Sequence, residues 1–265
     1  MSKAPTQGRA RSADSTEIHF EHHGTGPLLV LIEAAGHSRE LSSFAGLIPL
    51  LAAHCTVVEY DRRGRGASSD AGRYQVAREV EDVAAIVRHF EGVPGPVFGY
   101  GFSSGAQLAL HAAGAGLPFD RLCLLEPPAE LGADRSEQQG FVDELDALIG
   151  AGDPSGAVEY FLSGALPDEV LTGFRGSTDW AQMVAVAHTL PYDARVSLTL
   201  TRAVLDRVRL PTLVLSSSGS DPSLLAMVDD LTAALPQASS RRLPGQWHGV
   251  PDELLAEAIL EFLFD

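Results

Sequence analysis

The chain alternates between short, continuous runs of apolar residues and longer stretches in which apolar residues recur every three or four positions. A continuous apolar run is typical of a strand buried on both faces of a parallel sheet. The predicted strands are residues 28–32, 56–60, 96–100, 121–125, 212–216 and 240–243. Helical spacing predicts helices at residues 41–53, 76–90, 106–113 and 252–263. This order of elements predicts an α/β domain, with a mostly parallel sheet flanked by helices.

The stretch 129–209 interrupts the alternation, because it carries only helical patterns. Its predicted helices are residues 139–149, 157–162, 181–189 and 196–208. An all-helical insert in an α/β domain usually forms a lid over a binding or active site. We therefore predict a core made of residues 16–128 and 210–265, a helical lid at 129–209, and a polar, flexible tail at 1–15.

The charge balance narrows the class of partner. The 265 residues include 35 acidic and 19 basic side chains, which gives a formal net charge of −16. This excess of negative charge disfavours nucleic acid and anionic membranes as partners. No apolar stretch approaches the roughly 20 residues of a membrane span, and the polar N-terminal stretch lacks the apolar segment of a signal peptide. We expect a cytoplasmic protein that acts on a small molecule, and the sequence leaves the oligomeric state open.

Cysteine and histidine are not spaced as in a metal site. Cys55 and Cys123 lie in apolar, strand-like runs, so we expect two buried thiols rather than a disulfide. His19, His22 and His23 fall in an early strand and are assigned no function. Neither a metal nor a cofactor is expected.

Candidate chemistry first appears at Gly101-Phe102-Ser103-Ser104-Gly105. The pattern follows an apolar strand and precedes a helix of small residues, so it predicts a sharp turn with Ser103 at its tip. The flanking glycines leave no Cβ to clash with neighbouring backbone, and the helix N-terminus favours negative charge beside the hydroxyl. A dinucleotide-binding loop is disfavoured, because its G-x-G-x-x-G pattern needs glycine where Ser104 stands.

Two further motifs accompany this turn in a specific order. Residues 60–68 (YDRRGRGAS) form a charged loop after a strand, and residues 243–250 (LPGQWHGV) form a histidine loop before the last helix. Together these motifs resemble the α/β-hydrolase family over residues 16–265. Residues 103–106 (SSGA), followed by 124–128 (LLEPP), narrow the resemblance to small capped bacterial serine hydrolases. A more distant similarity is to the zearalenone-type lactone hydrolases.

The resemblance implies Ser103 as the nucleophile and His248 as its base. A neutral hydroxyl attacks poorly and needs a base within hydrogen-bond reach. His111 and His188 are the alternatives. His111 lies in a helix that leads away from the turn, and His188 falls in the predicted lid, where contact with substrate is the more natural role.

The carboxylate that orients the histidine has two candidates. Asp221 follows the 212–216 strand, where the family commonly places its acid, and Glu126 ends the 121–125 strand, where the zearalenone-type hydrolases place theirs. We favour Glu126, because a carboxylate after an apolar strand is costly to bury unless it is paired. Asp221 precedes Pro222 and has a simpler explanation as a helix cap.

Two backbone N–H groups are expected to stabilise the oxyanion. One belongs to Ser104, directly after the nucleophile. The other belongs to Ala35, with Ala34 as the alternative, in the loop after the first predicted strand. The family often carries His-Gly in this loop, whereas residues 33–37 read EAAGH. Glu33 is either a hydrogen-bond partner of the site or a solvated charge.

The remaining polar and aromatic candidates belong to the charged loop and to the substrate pocket. Asp61, Arg62, Arg63 and Arg65 are predicted to brace loops by salt bridges. The predicted substrate-binding residues are Phe102, His37, Trp180, Met183, His188 and Tyr192. Core packing explains the apolar lid residues equally well.

The sequence thus predicts a serine hydrolase that cleaves a carboxylic ester or a lactone through an acyl-enzyme. One alternative is a tailoring enzyme of the same fold that catalyses an elimination or cyclisation in natural-product synthesis. The other is a ligand-binding protein with little turnover. Fold does not decide between them, and an intact serine, histidine and carboxylate set argues against a purely binding role.

Overall fold

The computed structural model describes residues 5–132, 134–163, 166 and 168–265. Its strands, numbered in chain order, are β1 Thr6–Arg11, β2 Glu17–His23, β3 Leu28–Ile32, β4 Thr56–Tyr60, β5 Val97–Phe102, β6 Arg121–Leu125, β7 Thr212–Ser217 and β8 Ala238–Leu243. Within the described residues they form one eight-stranded sheet in the order β1-β2-β4-β3-β5-β6-β7-β8. The β1–β2 and β2–β4 pairs are antiparallel, and the pairs from β4 to β8 are parallel. The predicted mostly parallel sheet is confirmed.

Helices cover both faces of this sheet. The helices that pack on it are α1 Leu47–Leu51, α2 Val76–His89, α3 Ser104–Gly114, α10 Pro222–Ala234 and α11 Asp252–Phe264. Side chains of α2, α3 and α10 share one apolar cluster with strand residues such as Val30 and Val58. Side chains of α1 and α11 share a second cluster with the opposite strand faces, as at Leu29 and Leu31. Because successive strand residues point to opposite faces, a continuous apolar strand supplies both clusters.

The described residues between β6 and β7 form six α-helices, which we call the cap. They are α4 Arg135–Gly150, α5 Pro154–Ser163, α6 Asp168–Phe174, α7 Thr178–Ala185, α8 Leu190–Thr199 and α9 Arg202–Leu205. Helices α4 to α8 form an apolar cluster of their own, which also includes Ala35 in the loop after β3. The cap therefore packs directly on a loop of the sheet domain. Residues 133, 164, 165 and 167 of the predicted lid lie outside the described residues.

The structure departs from the sequence predictions at two places near the N-terminus. Residues from Thr6 to Arg11 were expected in a tail but form β1, which pairs along its whole length with β2. The largely exposed β1 lacks an apolar run that would have revealed it. The predicted helix 41–53 is shortened to α1, because the Phe44 amide donates to the Ser42 hydroxyl at 3.1 Å, and this local bond competes with helix formation.

Among the described residues, no helix is both long enough and apolar enough to cross a membrane. Cys55 and Cys123 are buried free thiols, as expected, and burial raises the pKa of the Cys55 thiol to about 11.

Candidate active site

Ser103 occupies a strained turn between β5 and α3. Its backbone has φ 54° and ψ −120°, a conformation that L-residues rarely adopt. A Cβ on Gly101 would lie 2.5 Å from the Cα of Ala106, and one on Gly105 would lie 2.1 Å from the carbonyl oxygen of Ile32. Both flanking positions therefore require glycine. Helix α3 begins at Ser104, so its positive N-terminal end adjoins the serine.

Left-handed backbone is concentrated at this edge of the sheet. Among the described residues, the non-glycine positions with positive φ are Ser15, Ser103, Glu126 and His248. The last three follow β5, β6 and β8. Each such position costs about 1–3 kcal/mol, and such strain clusters at functional sites. The turns that carry the predicted serine, carboxylate and histidine are thus strained alike.

Glu126 and His248 are joined directly. Nδ1 of His248 lies 2.7 Å from Oε2 of Glu126, and the His248 amide donates to the Ser220 hydroxyl at 3.1 Å. The other carboxylate oxygen, Oε1, accepts from the Ser217 amide at 2.7 Å and from the Ser220 hydroxyl at 2.5 Å. Since a carboxylate only accepts, Nδ1 donates the proton and Nε2 is left as the basic nitrogen.

These contacts set the ionisation of Glu126. Its carboxyl is fully buried, which alone would raise its pKa. Hydrogen bonds from His248, Ser220 and the Ser217 amide outweigh burial and hold the pKa of Glu126 below its usual range. Ser217 and Ser220 were not predicted, although both belong to a serine-rich stretch that begins at the end of β7.

Asp221, the alternative acid, is the N-cap of α10. It accepts from the Ser223 amide at 2.8 Å and from the Ser223 hydroxyl at 2.6 Å. The side chain is exposed, and these two hydrogen bonds lower its pKa. Asp221 therefore has the capping role that Pro222 suggested, and Glu126 is the carboxylate that the fold places on the histidine.

The alternative bases are used elsewhere. His111 is buried in α3, where its Nε2 donates to the Val196 carbonyl at 3.0 Å, and burial lowers its pKa. His188 is exposed on the cap, and a Cβ on Gly64 would lie 3.2 Å from its Nε2. Neither residue is placed with Glu126.

Ser103 itself is half-buried, and the Phe102 ring beside it lies 4.7 Å from the His248 ring. Among the described residues, no hydrogen bond joins the Ser103 hydroxyl to His248. Such bonds are often long in free enzymes and tighten when substrate binds. The backbone is already fixed, because the Ser103 amide donates to the Leu125 carbonyl at 2.9 Å.

The loop after β3 faces the same region. Its Gly36 has φ 68°, and a Cβ there would meet Cε of Met183 at 2.6 Å. The carbonyl of Ala35 accepts from Nδ1 of His37 at 2.7 Å. Glu33 is buried, with Oε1 accepting from the Ser43 amide at 3.0 Å, and burial raises its pKa. The expectation of a solvated Glu33 is therefore wrong.

The charged loop is an ion-pair network inside the protein. Arg62 pairs with Glu79 on α2 and with Asp193 on α8, and Arg63 pairs with Asp82 on α2. The three arginines of the loop are Arg62, Arg63 and Arg65, and each is about 1% exposed. The predicted bracing role fits this geometry, and Asp193 is a further member that sequence reasoning missed.

Four of the predicted substrate-binding residues lie in four different places. Phe102 lies beside His248. Met183 covers the loop after β3, whereas Trp180 packs against Phe174 inside the cap, with ring centroids 5.9 Å apart. Tyr192 is directed to the charged loop, since its hydroxyl donates to Asp70 at 2.9 Å.

A separate group of side chains lies across β2 and β4. Within the described residues, ligand atoms of Glu21, His23 and Glu59 approach within 4.8 Å of one another, a grouping the sequence did not predict. Arg39 pairs with Glu21 at 2.9 Å, and the Ser42 hydroxyl donates to Glu59 at 2.8 Å. Burial and, to a lesser extent, the nearby carboxylates of Glu33 and Glu21 together raise the pKa of Glu59 to about 7. These contacts engage the two carboxylates, whereas Nε2 of His23 is buried without a hydrogen-bond partner among the described residues.

Comparisons with known proteins identify the family to which this fold belongs. A sequence model described as the alpha/beta hydrolase family matches residues 22–258. An alpha/beta hydrolase from Sphaerobacter thermophilus DSM 20745 is 37% identical, with a TM-score of 0.86 over 97% of this chain and 100% of that one. No curated protein sequence matches the chain.

Two more distant structures share the fold. A thermophilic esterase from Thermogutta terrifontis is 20% identical, with a TM-score of 0.76 over 97% of this chain and 98% of that one. The enol-lactonase from Burkholderia xenovorans LB400 is 18% identical, with a TM-score of 0.72 over 97% of this chain and 100% of that one. With the family model spanning most of the sequence, the chain belongs to the alpha/beta hydrolase family.

Proposed function

We propose that the protein is a serine hydrolase that cleaves a carboxylic ester or a lactone of a small molecule. The observation that carries this proposal is the 2.7 Å bond between buried Glu126 and His248, set beside the strained turn of Ser103. A buried carboxylate that fixes a histidine tautomer close to a serine hydroxyl is the arrangement that activates a serine. The esterase and the enol-lactonase that share the fold support the choice of substrate class.

In the proposed reaction, Nε2 of His248 removes the proton as Oγ of Ser103 attacks the substrate carbonyl. The amides of Ala35 and Ser104 donate to the oxyanion of the tetrahedral intermediate. The intermediate collapses when His248 returns the proton to the leaving alkoxide. This step gives the acyl-enzyme and an alcohol, which in a lactone stays attached to the acyl chain.

Deacylation repeats these steps with water as the nucleophile. His248 deprotonates the water, the hydroxide adds to the acyl carbon, and the proton goes to the departing Oγ of Ser103. Throughout, Glu126 stabilises the protonated imidazole without taking the proton. The chain supplies every group that this sequence of steps needs.

The cap is the part of the proposal that governs access. Its helices cover the loop after β3 through Met183, so a substrate must fit between this loop, Phe102 and the cap. We propose that the cap acts as a lid that excludes water and selects the acyl group.

The test is a panel of nitrophenyl esters and macrolactones assayed with the wild-type protein and with Ser103→Ala. Removal of the nucleophile should lower kcat/KM on the order of 10³-fold or more, because only binding and the oxyanion hole remain. Fluorophosphonate labelling should be lost in the same variant.

Ser240→Ala serves as a matched control, because it removes an exposed hydroxyl on β8 and keeps the Ser103 nucleophile and its surroundings. It should retain covalent labelling. Undiminished labelling of Ser103→Ala would identify a different nucleophile, and substrate consumption without uptake of water would favour an elimination or cyclisation on the same site.

A further inference from the structure

The buried Asp193 joins the cap to both sides of the predicted oxyanion hole. It lies in the first turn of α8, and its side chain is 1% exposed. One oxygen, Oδ1, accepts from the Ser104 hydroxyl at 2.8 Å and from Arg62 at 2.6 Å. The other, Oδ2, accepts from Arg65 at 2.6 Å. The arginines hold the pKa of Asp193 below its usual range against the effect of burial.

The two arginines reach on to the loop after β3. Arg65 donates to the Ala34 carbonyl at 2.7 Å and to the His37 carbonyl at 3.3 Å. Arg62 donates to the Glu33 carbonyl at 3.2 Å. Each arginine therefore bridges Asp193 and the backbone of this loop.

The Ala34 carbonyl is part of the peptide unit that ends in the Ala35 amide. In a planar trans peptide the C=O and N–H point in opposite directions. A guanidinium that holds the Ala34 oxygen therefore fixes the direction of the Ala35 N–H. A charge-assisted bond at the oxygen also polarises the peptide and strengthens its N–H as a donor.

The second oxyanion donor is tied to the same carboxylate. The Ser104 hydroxyl donates to Asp193, while the Ser104 amide is the first of α3. Asp193 thereby links Ala35 to Ser104: it reaches the Ala34–Ala35 peptide through Arg65, and it accepts directly from the Ser104 hydroxyl. Among the described residues of the cap, Asp193 is the one that pairs with Arg62 and Arg65.

We propose that Asp193 is a positioning residue that holds the two donors of the oxyanion hole in register and makes their geometry depend on docking of the cap. It touches neither substrate nor the reacting atoms. The inference rests on the proposed hydrolysis at Ser103, and it adds a role for the cap beyond covering the site.

The test compares Asp193→Asn with Asp82→Asn at pH 8. Both aspartates are 1% exposed and pair with an arginine of the charged loop, but Asp82 pairs with Arg63 and not with the arginines that hold the loop after β3. Asp193→Asn should lower kcat for a small nitrophenyl ester by about 10- to 100-fold, less than the roughly 10²- to 10³-fold for loss of an oxyanion donor, because the donors are displaced and not removed. KM should change by less than about threefold, because the lost interaction is made in the transition state.

Two further readouts separate positioning from a structural effect. The pH profile of kcat/KM for Asp193→Asn should keep its shape, because His248 and Glu126 are untouched. The rate of fluorophosphonate labelling of Ser103 should fall in parallel with kcat, because the phosphonyl oxygen occupies the same hole. Asp82→Asn should keep both rates within about threefold of wild type even if its Tm falls.

A kcat for Asp193→Asn within threefold of wild type would overturn the inference. An equal loss of kcat in Asp82→Asn would also overturn it, because breaking any ion pair of the charged loop would then lower activity to the same extent. If Asp193→Asn does not fold, Arg65→Lys, with Arg63→Lys as its control, makes the same comparison. If the wild-type protein turns over no ester, the proposed function fails, and the labelling rates still decide the role of Asp193.

Discussion

Two buried carboxylates, Glu126 and Asp193, lie in different electrostatic surroundings. Glu126 is bonded to a histidine that is 17% exposed and can gain or lose a proton. Asp193 is bonded to two arginines that stay charged at every relevant pH. Both carboxylates have lowered pKa values because partners outweigh burial. In the proposed roles, the partner of each buried carboxylate makes the difference. A histidine partner allows proton transfer, whereas arginine partners hold the backbone in place.

The two regions also differ in what supports them. Around Glu126, the hydrogen-bond donors besides His248 are the Ser217 amide and the Ser220 hydroxyl, which are neutral. Around Asp193, the donors besides the Ser104 hydroxyl are two cations, so removing one leaves an uncompensated buried charge. Substitution near Glu126 should therefore change activity more than stability, and substitution in the arginine network should change stability strongly.

The largest contrast in activity is expected between Glu126→Gln and Asp221→Asn. Glutamine would put a neutral amide in place of the carboxylate that accepts the Nδ1 proton of His248. We therefore expect kcat to fall on the order of 10²-fold or more, as when the acid of a catalytic triad is replaced by its amide. Asp221→Asn should cost less than about tenfold, because a helix cap contributes only about 1 kcal/mol to stability. Both are measured on one ester, with Tm recorded for each. A severe Asp221→Asn beside a nearly normal Glu126→Gln would reverse the assignment.

The largest contrast in stability is expected from Arg62→Met. The change leaves Glu79 and Asp193 without this cation, and breaking a buried pair costs about 3–5 kcal/mol. For a chain of this size that is a fall in Tm of roughly 6–20 °C. The control, Arg202→Met, breaks an exposed pair with Asp206 and should cost less than about 1 kcal/mol. Equal melting temperatures for the two variants would show that the buried network is not stabilising.

A smaller effect on stability, which depends on pH, is expected from substitution of Glu59. Among the described residues, no cation forms an ion pair with Glu59. Its folded pKa of about 7 lies above its usual 4.5, so the folded state holds the proton more tightly. Ionisation therefore reduces stability as pH rises from 4.5 to 7, and the loss is complete above pH 7.

Glu59→Gln should raise stability at pH 8 by about 3 kcal/mol and leave it nearly unchanged near pH 4.5. Thermal melts of wild type and variant across this range measure the difference. Glu257→Gln removes the same charge from an exposed position on α11 and should show no such trend. A constant difference between wild type and Glu59→Gln at all pH values would contradict the assigned pKa.

The predicted strands and the long core helix agree with the structure because their burial is regular. Strands β3, β4 and β6 begin and end where their apolar runs do, and α2 carries its apolar face at helical spacing. Strand β1 was not predicted, because an edge strand held by backbone pairing needs no apolar run. Cap helix α6 was also missed, since short cap helices bury few residues in regular order.

The candidate site, like the fold, combines features that could be predicted from the sequence with features that could not. The sharp turn at Ser103 could be predicted from the sequence, since the glycines beside it have a local steric cause, and Glu126 was favoured because an apolar strand leads into it. The placement of His188 and Tyr192 against the charged loop could not be predicted, because it depends on how the cap docks.

By itself, the sequence determined the α/β architecture, the turn at Ser103 and the order of the motifs along the chain. These follow from local physics, namely the period of apolar residues and the space around a glycine. Only the tertiary structure decided that Glu126 and not Asp221 meets His248, and that Asp193 meets two arginines 128 and 131 positions away. The reason is that the field around a buried charge is set by partners distant in sequence, and the fold alone brings them within hydrogen-bond reach.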